Sequence, residues 1–278
     1  MMKQTEPIDE IWKECLGWAL EKDAYFSQQY QLAGLGQEPC DINDLFRLPE
    51  YEISRFKRPF ECLNLPLSSV DRWIGKTAYL TEEFDIWKVC AQNWLSSCGI
   101  HRASVVLVAD GFYGMGAAWG ILEGIRSIGA VAMTSGAAPW EIIDEYGITA
   151  CVLTADLLEQ WIAGGWRAGG CRQIFCLTSG LDTVQRDRWQ GVLGIPIYRQ
   201  LGMEGIQDSV IFWEDQVKNG YHYLPQYYLP ELIEDSHGFC GNLLLTALQR
   251  RSTTAIRVCT GWKVDLSRCQ SQSTLQLY

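Results

Sequence analysis

The 278-residue sequence predicts an α/β fold, a mostly parallel sheet flanked by helices with a smaller β-rich subdomain after it. Three observations predict it. The run 104-SVVLVAD-110 is almost uninterrupted in apolar, β-branched residues, as in a strand buried on both faces. From there to residue 201, strand-like and helix-like segments alternate, the order that builds parallel strands with right-handed helical crossovers. After residue 205 the helical segments stop and apolar runs follow one another across turns, as in antiparallel pairing.

Each element has its own signal. Residues 8–22 (IDEIWKECLGWALEK) set Ile8, Ile11, Trp12, Cys15, Leu16 and Leu20 along one helical stripe. Residues 1–66 are read as an N-terminal helical region packing on the core. Within it, 40–66 is mixed, and the basic cluster Arg55-Phe56-Lys57-Arg58-Pro59 suits a solvated loop. A helix is expected from Thr81, with Thr81 as its cap, Glu82 and Glu83 in its first turn and Gly99 as its stop. The Gly-rich helix 113-YGMGAAWGILEGIRSIG-129 then leads into a strand over 129–135. Further units follow: helix 139–147, strand 149–155, helix 156–164, strand 172–179, helix 181–191 and strand 195–201. Residues 67–205 thus form the parallel α/β subdomain. Segments 209–215, 221–235, 241–248 and 253–260 supply the strands of a β-rich subdomain over 206–265, with a turn at Lys218-Asn219-Gly220. The polar tail 266–278 is expected to be poorly ordered.

Composition narrows the function. A net charge of −10 argues against nucleic acid, whose affinity rests on Lys and Arg neutralising phosphates, and against anionic membrane surfaces. No apolar run approaches the ~20 residues of a membrane helix. The acidic start lacks the apolar core of a secretory signal, so a cytoplasmic protein is expected. The 11 Cys include no CxxC pair, and Cys90, Cys151 and Cys176 lie in apolar runs, where a small buried hydrophobe is the simplest role. The three His (His101, His222, His237) have no partner at metal-ligand spacing, so no metal site is expected. The Trp residues 161, 166, 189, 213 and 262 belong either to the core or, if exposed, to an interface.

Ligands of parallel α/β sheets sit beyond the carboxyl ends of the strands. Here those ends are 110–113, 134–136, 178–180 and 201–204. Upstream, 68-SSVDRWIGK-76 combines two Ser with Gly75-Lys76-Thr77, the close of a phosphate-binding loop. A Walker loop needs Gly at position 70 and finds Val.

Together these parts resemble the large domain of adenylate-forming enzymes, especially the phenylacetate–CoA ligase branch. The likeness spans roughly residues 40–265. It rests on 113–136, similar to a family segment ending in Met-Ser-Gly, on 229-LPELIED-235, similar to Tyr-Pro-Glu-Ile-Ile-Asp, and on 241-GNLLLTAL-248 with 256-IRVCTG-261. The resemblance implies an enzyme joining a carboxylic acid to AMP with ATP and magnesium, and then to coenzyme A. Carried over position by position, it implies a nucleotide and phosphate site at Ser68, Ser69, Gly75, Lys76, Thr77, Ser179, Gly180, Gly202, Thr260 and Asp265. It implies Glu204 and Arg257 as catalytic groups, and an acyl pocket at Phe112, Tyr113, Gly114, Trp119 and Gly136. Close packing of the helix is the competing reason for Gly114, Gly116 and Gly120.

The sequence departs from the pattern at each chemical part. The phosphate loop has gained bulk where backbone must approach the anion, and Asp71 would repel it. The magnesium Glu is displaced, with Gly205 in register and Glu204 one place early. The adenine-stacking aromatic is Leu201. The ribose Asp after Thr-Gly is Trp262, with Asp265 nearby. The chain stops shortly after the point where the C-terminal domain of the family, with its catalytic Lys, would begin. Preorganised donors contribute several kcal/mol each to catalysis. The expectation is therefore a truncated, degenerate adenylate-forming protein, a pseudoenzyme unable to adenylate alone. It would act as a ligand-binding or accessory subunit with a protein partner or as a homodimer, and retain at most ATP/AMP and Mg or an acyl or aromatic carboxylate. The alternative is a divergent ligase or acyltransferase receiving its Lys from a partner chain.

Overall fold

The structure is a computed structural model that describes residues 7–52, 72–74, 77–109, 116–135, 140–177, 181–203, 206–234, 240–265 and 274–275. The chain divides into two compact units, one from Met1–Phe84 with Leu224–Tyr278, the other Asp85–Tyr223.

The first unit opens with α1 (Ile8–Lys22) and α2 (Ala24–Leu32), followed by a 3-10 turn at Ile42–Arg47. The apolar stripe read from the sequence is the buried one: Ile11, Trp12, Cys15 and Leu16 pack with Phe26, Leu45, Leu248 and Ile256. Asp23 caps α2, its carboxylate accepting from Phe26 N at 2.9 Å. Strands β11 (Tyr228–Glu234), β12 (Cys240–Ala247) and β13 (Val258–Asp265) form an antiparallel sheet. The short β1 (Tyr51–Glu52) joins it parallel to β13. A separate two-stranded ribbon pairs β2 (Arg72–Ile74) with β3 (Thr77–Tyr79). Glu83, in the first turn of α3 (Thr81–Ser97), does more than face the helix dipole. Its buried carboxylate accepts from Leu80 N, Arg251 N, Ser252 N and the Ser252 hydroxyl, with Arg250 Nη1 at 3.3 Å.

The second unit carries the parallel sheet. Its strands are β4 (Val105–Ala109), β5 (Val131–Ser135), β6 (Ala150–Leu153), β7 (Gln173–Leu177), β8 (Ile197–Met203), β9 (Gln207–Trp213) and β10 (Tyr221–His222). They lie in the order β10-β9-β8-β7-β6-β4-β5. The five strands β5-β4-β6-β7-β8 are mutually parallel, and β9 and β10 add antiparallel pairs. The crossovers hold α4 (Gly116–Ile128), α5 (Ile142–Glu145), α6 (Ala155–Ala163) and α7 (Thr183–Leu193). Thr154 and Asp182 cap α6 and α7 through Leu157 N and Gln185 N. Leu107, Cys151, Leu153, Ile174 and Cys176 fill the core with Trp161, Trp166 and Trp189. Those three Trp and Trp213 are buried, so the core reading of these indoles holds.

Glycines on α4 serve packing against α3. A Cβ on Gly124 would lie 2.8 Å from Ala91 Cβ and 2.9 Å from Gln92 N, and one on Gly120 would lie 2.9 Å from Trp87 Cβ. Both are closer than side-chain carbons approach, so only glycine permits this helix pair.

Three elements differ from expectation. The helix read over 139–147 is the single turn α5, because Gly147 takes φ 62° and ends it. The run 221–235 breaks into β10 and β11 around a turn in which Tyr227 N donates to Leu224 O, next to Pro225. The strand read over 253–260 begins at Val258, as β13, because Arg257 adopts φ 51°. The tail 266–278 lies outside the described residues except Thr274–Leu275, which form β14. Among the described residues no helix is long and apolar enough to cross a membrane.

Candidate functional site

Strand order locates the crevice that a parallel sheet offers a ligand. From β4 the chain goes to β5 on one side and returns to β6 on the other, so the switch point lies between β4 and β6 at their carboxyl ends. Most of the residues expected there (Phe112, Tyr113, Gly114, Gly136, Ser179, Gly180 and Glu204) lie outside the described residues, as do Ser68, Ser69, Gly75 and Lys76. Thr77 opens β3. Trp119 sits half-buried on α4. Gly202 lies in β8 between buried Leu201 and Met203, where the ladder to β9 changes register. The carboxyl end of β6 runs directly into the Thr154 cap of α6.

In the first unit, the segment expected to meet a ribose forms a bulge. β12 and β13 pair Leu244 with Cys259 and Asn242 with Lys263, which leaves Thr260, Gly261 and Trp262 to be accommodated opposite Leu243. The Thr260 hydroxyl donates to Leu243 O at 2.7 Å and accepts from Trp262 N at 3.0 Å. Gly261 turns the chain with φ 74°. The bulge therefore fixes the backbone of residue 262 and re-aims its side chain, a half-buried indole. Asp265 ends β13 opposite Cys240.

Arg257 is engaged within the first unit. Its Nε donates to both oxygens of Glu231 at 3.2 Å, and Nη1 donates to the carbonyls of Phe46 and Leu48. Its own N–H donates to Thr246 Oγ1 at 3.0 Å. Burial pushes the Glu231 carboxyl above its usual range, and the Arg257 charge opposes that shift. The residue thus ties the 3-10 turn to β11 and β12 in an arrangement that spends its fork on protein oxygens.

A second charged cluster is not among the sites expected from the sequence. Glu214, 2 % exposed, accepts from Arg186 Nη1 at 2.7 Å, from Arg199 Nη2 at 2.7 Å and from Arg199 N at 2.9 Å. Arg199 also donates to Leu181 O at 3.1 Å. The cluster joins β8, the end of β9, α7 and the loop that follows β7. The only sequence signals were an Arg inside an apolar strand and a Glu closing another.

Buried acids of the core set an alkaline limit. Burial raises Cys98 and Cys176 from 9.0 to about 12, and Tyr221 from 10.0 to about 12. A raised folded pKa contributes stability that is complete below the unfolded value and is lost as pH climbs towards the folded one. Unfolding midpoints measured by denaturant titration are expected to hold steady to about pH 8.5 and to fall progressively above about pH 9. A midpoint that is unchanged at pH 10.5 would show that these groups are not buried in solution.

No protein-family model and no curated protein matches the sequence. Solved structures do. An open conformation of 2-hydroxyisobutyryl-CoA ligase in complex with 2-HIB-AMP and CoA superposes with a TM-score of 0.80 over 97 % of this chain and 67 % of that one, at 18 % identity. The chain has the adenylate-forming ligase fold. The same ligase in the thioesterification state gives a TM-score of 0.77 over 94 % of this chain and 65 % of that one, at 17 % identity. Coronafacic acid ligase from Pectobacterium brasiliense gives 0.55 over 72 % of this chain and 43 % of that one, at 10 % identity. The adenylate-forming fold is therefore present here over about two thirds of the length of the first ligase. The parallel sheet expected over 104–200 is present in this chain as β5-β4-β6-β7-β8.

Proposed function

We propose that this chain is a degenerate member of the adenylate-forming group that binds an acyl or nucleotide ligand but does not activate a carboxylic acid by itself. One observation carries the reading: the bulge at Thr260–Trp262 presents an indole where the resembling enzymes use a carboxylate. Indole donates one hydrogen bond and accepts none, so it cannot hold both hydroxyls of a ribose. Each hydroxyl left without its acceptor costs about 1–3 kcal/mol. The bulky 70–74 stretch and the displaced Glu204 support the same conclusion from the phosphate and magnesium sides.

The ligase with the same fold is seen with an acyl-AMP and CoA, which makes acyl-adenylate, acyl-CoA and the free acid the ligand classes to test here. The motif 229-LPELIED-235 favours the phenylacetate–CoA ligase branch. The free thiols of the structure suit a reducing compartment, so the proposed setting is the cytoplasm, beside a partner enzyme. A divergent ligase, supplied with its Lys from outside residues 1–278, is the competing outcome.

The test is calorimetry of the purified chain with AMP and with ATP and magnesium, alongside a pyrophosphate-release assay over a panel of carboxylic acids. The expected result is no micromolar nucleotide binding and no acid-dependent pyrophosphate. Micromolar ATP binding that is weakened by Lys76→Ala, together with pyrophosphate release, would establish a working ligase instead.

A further inference from the structure

Two thiols twenty residues apart meet inside the second unit. Cys151 lies in β6 and Cys171 in the turn that leads into β7, and their sulfurs are 3.8 Å apart. Both are free, with 0 % and 2 % exposure. Cys171 Sγ also lies 3.2 Å from Gln173 O, within donating distance.

Disulfide sulfurs lie about 2.05 Å apart, which leaves a closure of less than about 2 Å. Cys151 is fixed in the ladder, opposite Leu107 of β4 and Ile174 of β7. Cys171 lies in a turn held by Gly170 N donating to Asp144 Oδ1 at 2.8 Å and Cys171 N donating to Ala168 O at 2.9 Å, which leaves the closure to its side chain and small shifts of the turn. It precedes the first paired residue of β7 and ends the stretch 164-GGWRAGG-170, in which Gly165 and Gly169 take φ 94° and 54°. A cavity of about 320 Å³, lined by Trp140, Asp144, Trp166, Arg167 and Gly169, borders the same stretch. Gly169, two residues before Cys171, belongs to its lining. The packed thiol of Cys176, within β7, has neither feature.

We propose that Cys151 and Cys171 form an oxidisable dithiol, a modification site for hydrogen peroxide whose product is an intramolecular disulfide. The Cys171 sulfur gives up its proton and attacks one peroxide oxygen. The O–O bond breaks, and the departing hydroxide takes up that proton and leaves as water. The Cys151 sulfur then attacks the resulting sulfenic acid. The S–S bond forms, the S–O bond breaks, and the hydroxyl leaves with the Cys151 proton as a second water. The two thiols lose two electrons and peroxide gains them. The product fastens the turn before β7 to the middle of β6 and encloses α6 in a covalent loop. Glutathione reverses it by thiol–disulfide exchange.

The test uses the full chain. Reduced protein is treated with hydrogen peroxide while folded, then unfolded, alkylated and digested without reductant for mass spectrometry. A linked peptide pair holding Cys151 and Cys171 is expected, about 2 Da lighter than the two reduced peptides and abolished by dithiothreitol. The oxidised protein should also melt several degrees higher than the reduced one. Cys176→Ala should keep both results, and Cys151→Ala should lose both. Alkylation of Cys151 and Cys171 in the peroxide-treated wild type would overturn the proposal, as would links spread evenly among other cysteine pairs. The mapping is read on the wild type, so the proposal stands or falls there even if a variant fails to fold.

Discussion

Glu214→Ala is expected to lower the unfolding free energy by about 3–5 kcal/mol, the usual cost of removing one partner from a buried ion cluster. The carboxylate is the common acceptor for Arg186 and Arg199, at 2.7 Å from each. Without it, two guanidinium groups in the interior lose their shared counter-charge. Arg186 keeps Asp187 at 3.1 Å, but that carboxylate is largely exposed and its contribution is screened. Glu214→Gln retains acceptor and shape and should fall between wild type and Ala. Urea denaturation at neutral pH checks both. A loss below about 1 kcal/mol for the Ala variant would mean that water replaces the carboxylate, and that the cluster does not hold β8, β9 and α7 together.

If the proposed reading holds, Trp262→Asp is expected to strengthen AMP binding by about 10- to 100-fold, because a carboxylate at this bulge would accept from both ribose hydroxyls at a net gain of about 0.7–1.4 kcal/mol each. The change leaves the Thr260 and Gly261 geometry that shapes the bulge in place. Calorimetry on wild type and variant, with far-UV circular dichroism to verify folding, decides it. A folded variant with no gain would show that residue 262 does not limit nucleotide binding, and would turn attention to the 68–76 stretch. A gain without pyrophosphate release would separate nucleotide binding from activation.

The centre of the parallel sheet was legible because β4, β6 and β7 are buried on both faces. The runs at 104–110, 149–155 and 172–179 contain β4, β6 and β7, and no alternation was needed to find them. Edges were less legible. The start of β13 was not legible because nothing in Thr253-Thr254-Ala255-Ile256-Arg257 announces that a β-rich stretch turns at Arg257 through a positive φ. That conformation is held from a distance, by Glu231 and two carbonyls near residue 47. The site divides in the same way. The Thr-Gly-Trp segment was readable as a motif, and the fold explains its shape through a two-hydrogen-bond bulge. The Glu214 cluster and the Cys151–Cys171 contact were not readable, since each depends on residues that only the sheet order brings side by side.

The division of the chain also sets an order of assembly. The second unit is one continuous segment, Asp85–Tyr223, whereas the first is drawn from both ends of the chain. On a ribosome, the parallel sheet can close as soon as its own residues have emerged. The N-terminal helices cannot finish so early. The stripe of Ile11, Trp12, Cys15 and Leu16 needs Leu248 and Ile256 to cover it, and the turn near Leu48 needs Arg257. The α1 stripe is therefore covered only after residues far along the chain have been made. Until Leu248 and Ile256 have emerged, that apolar stripe lacks the residues that cover it in the folded chain.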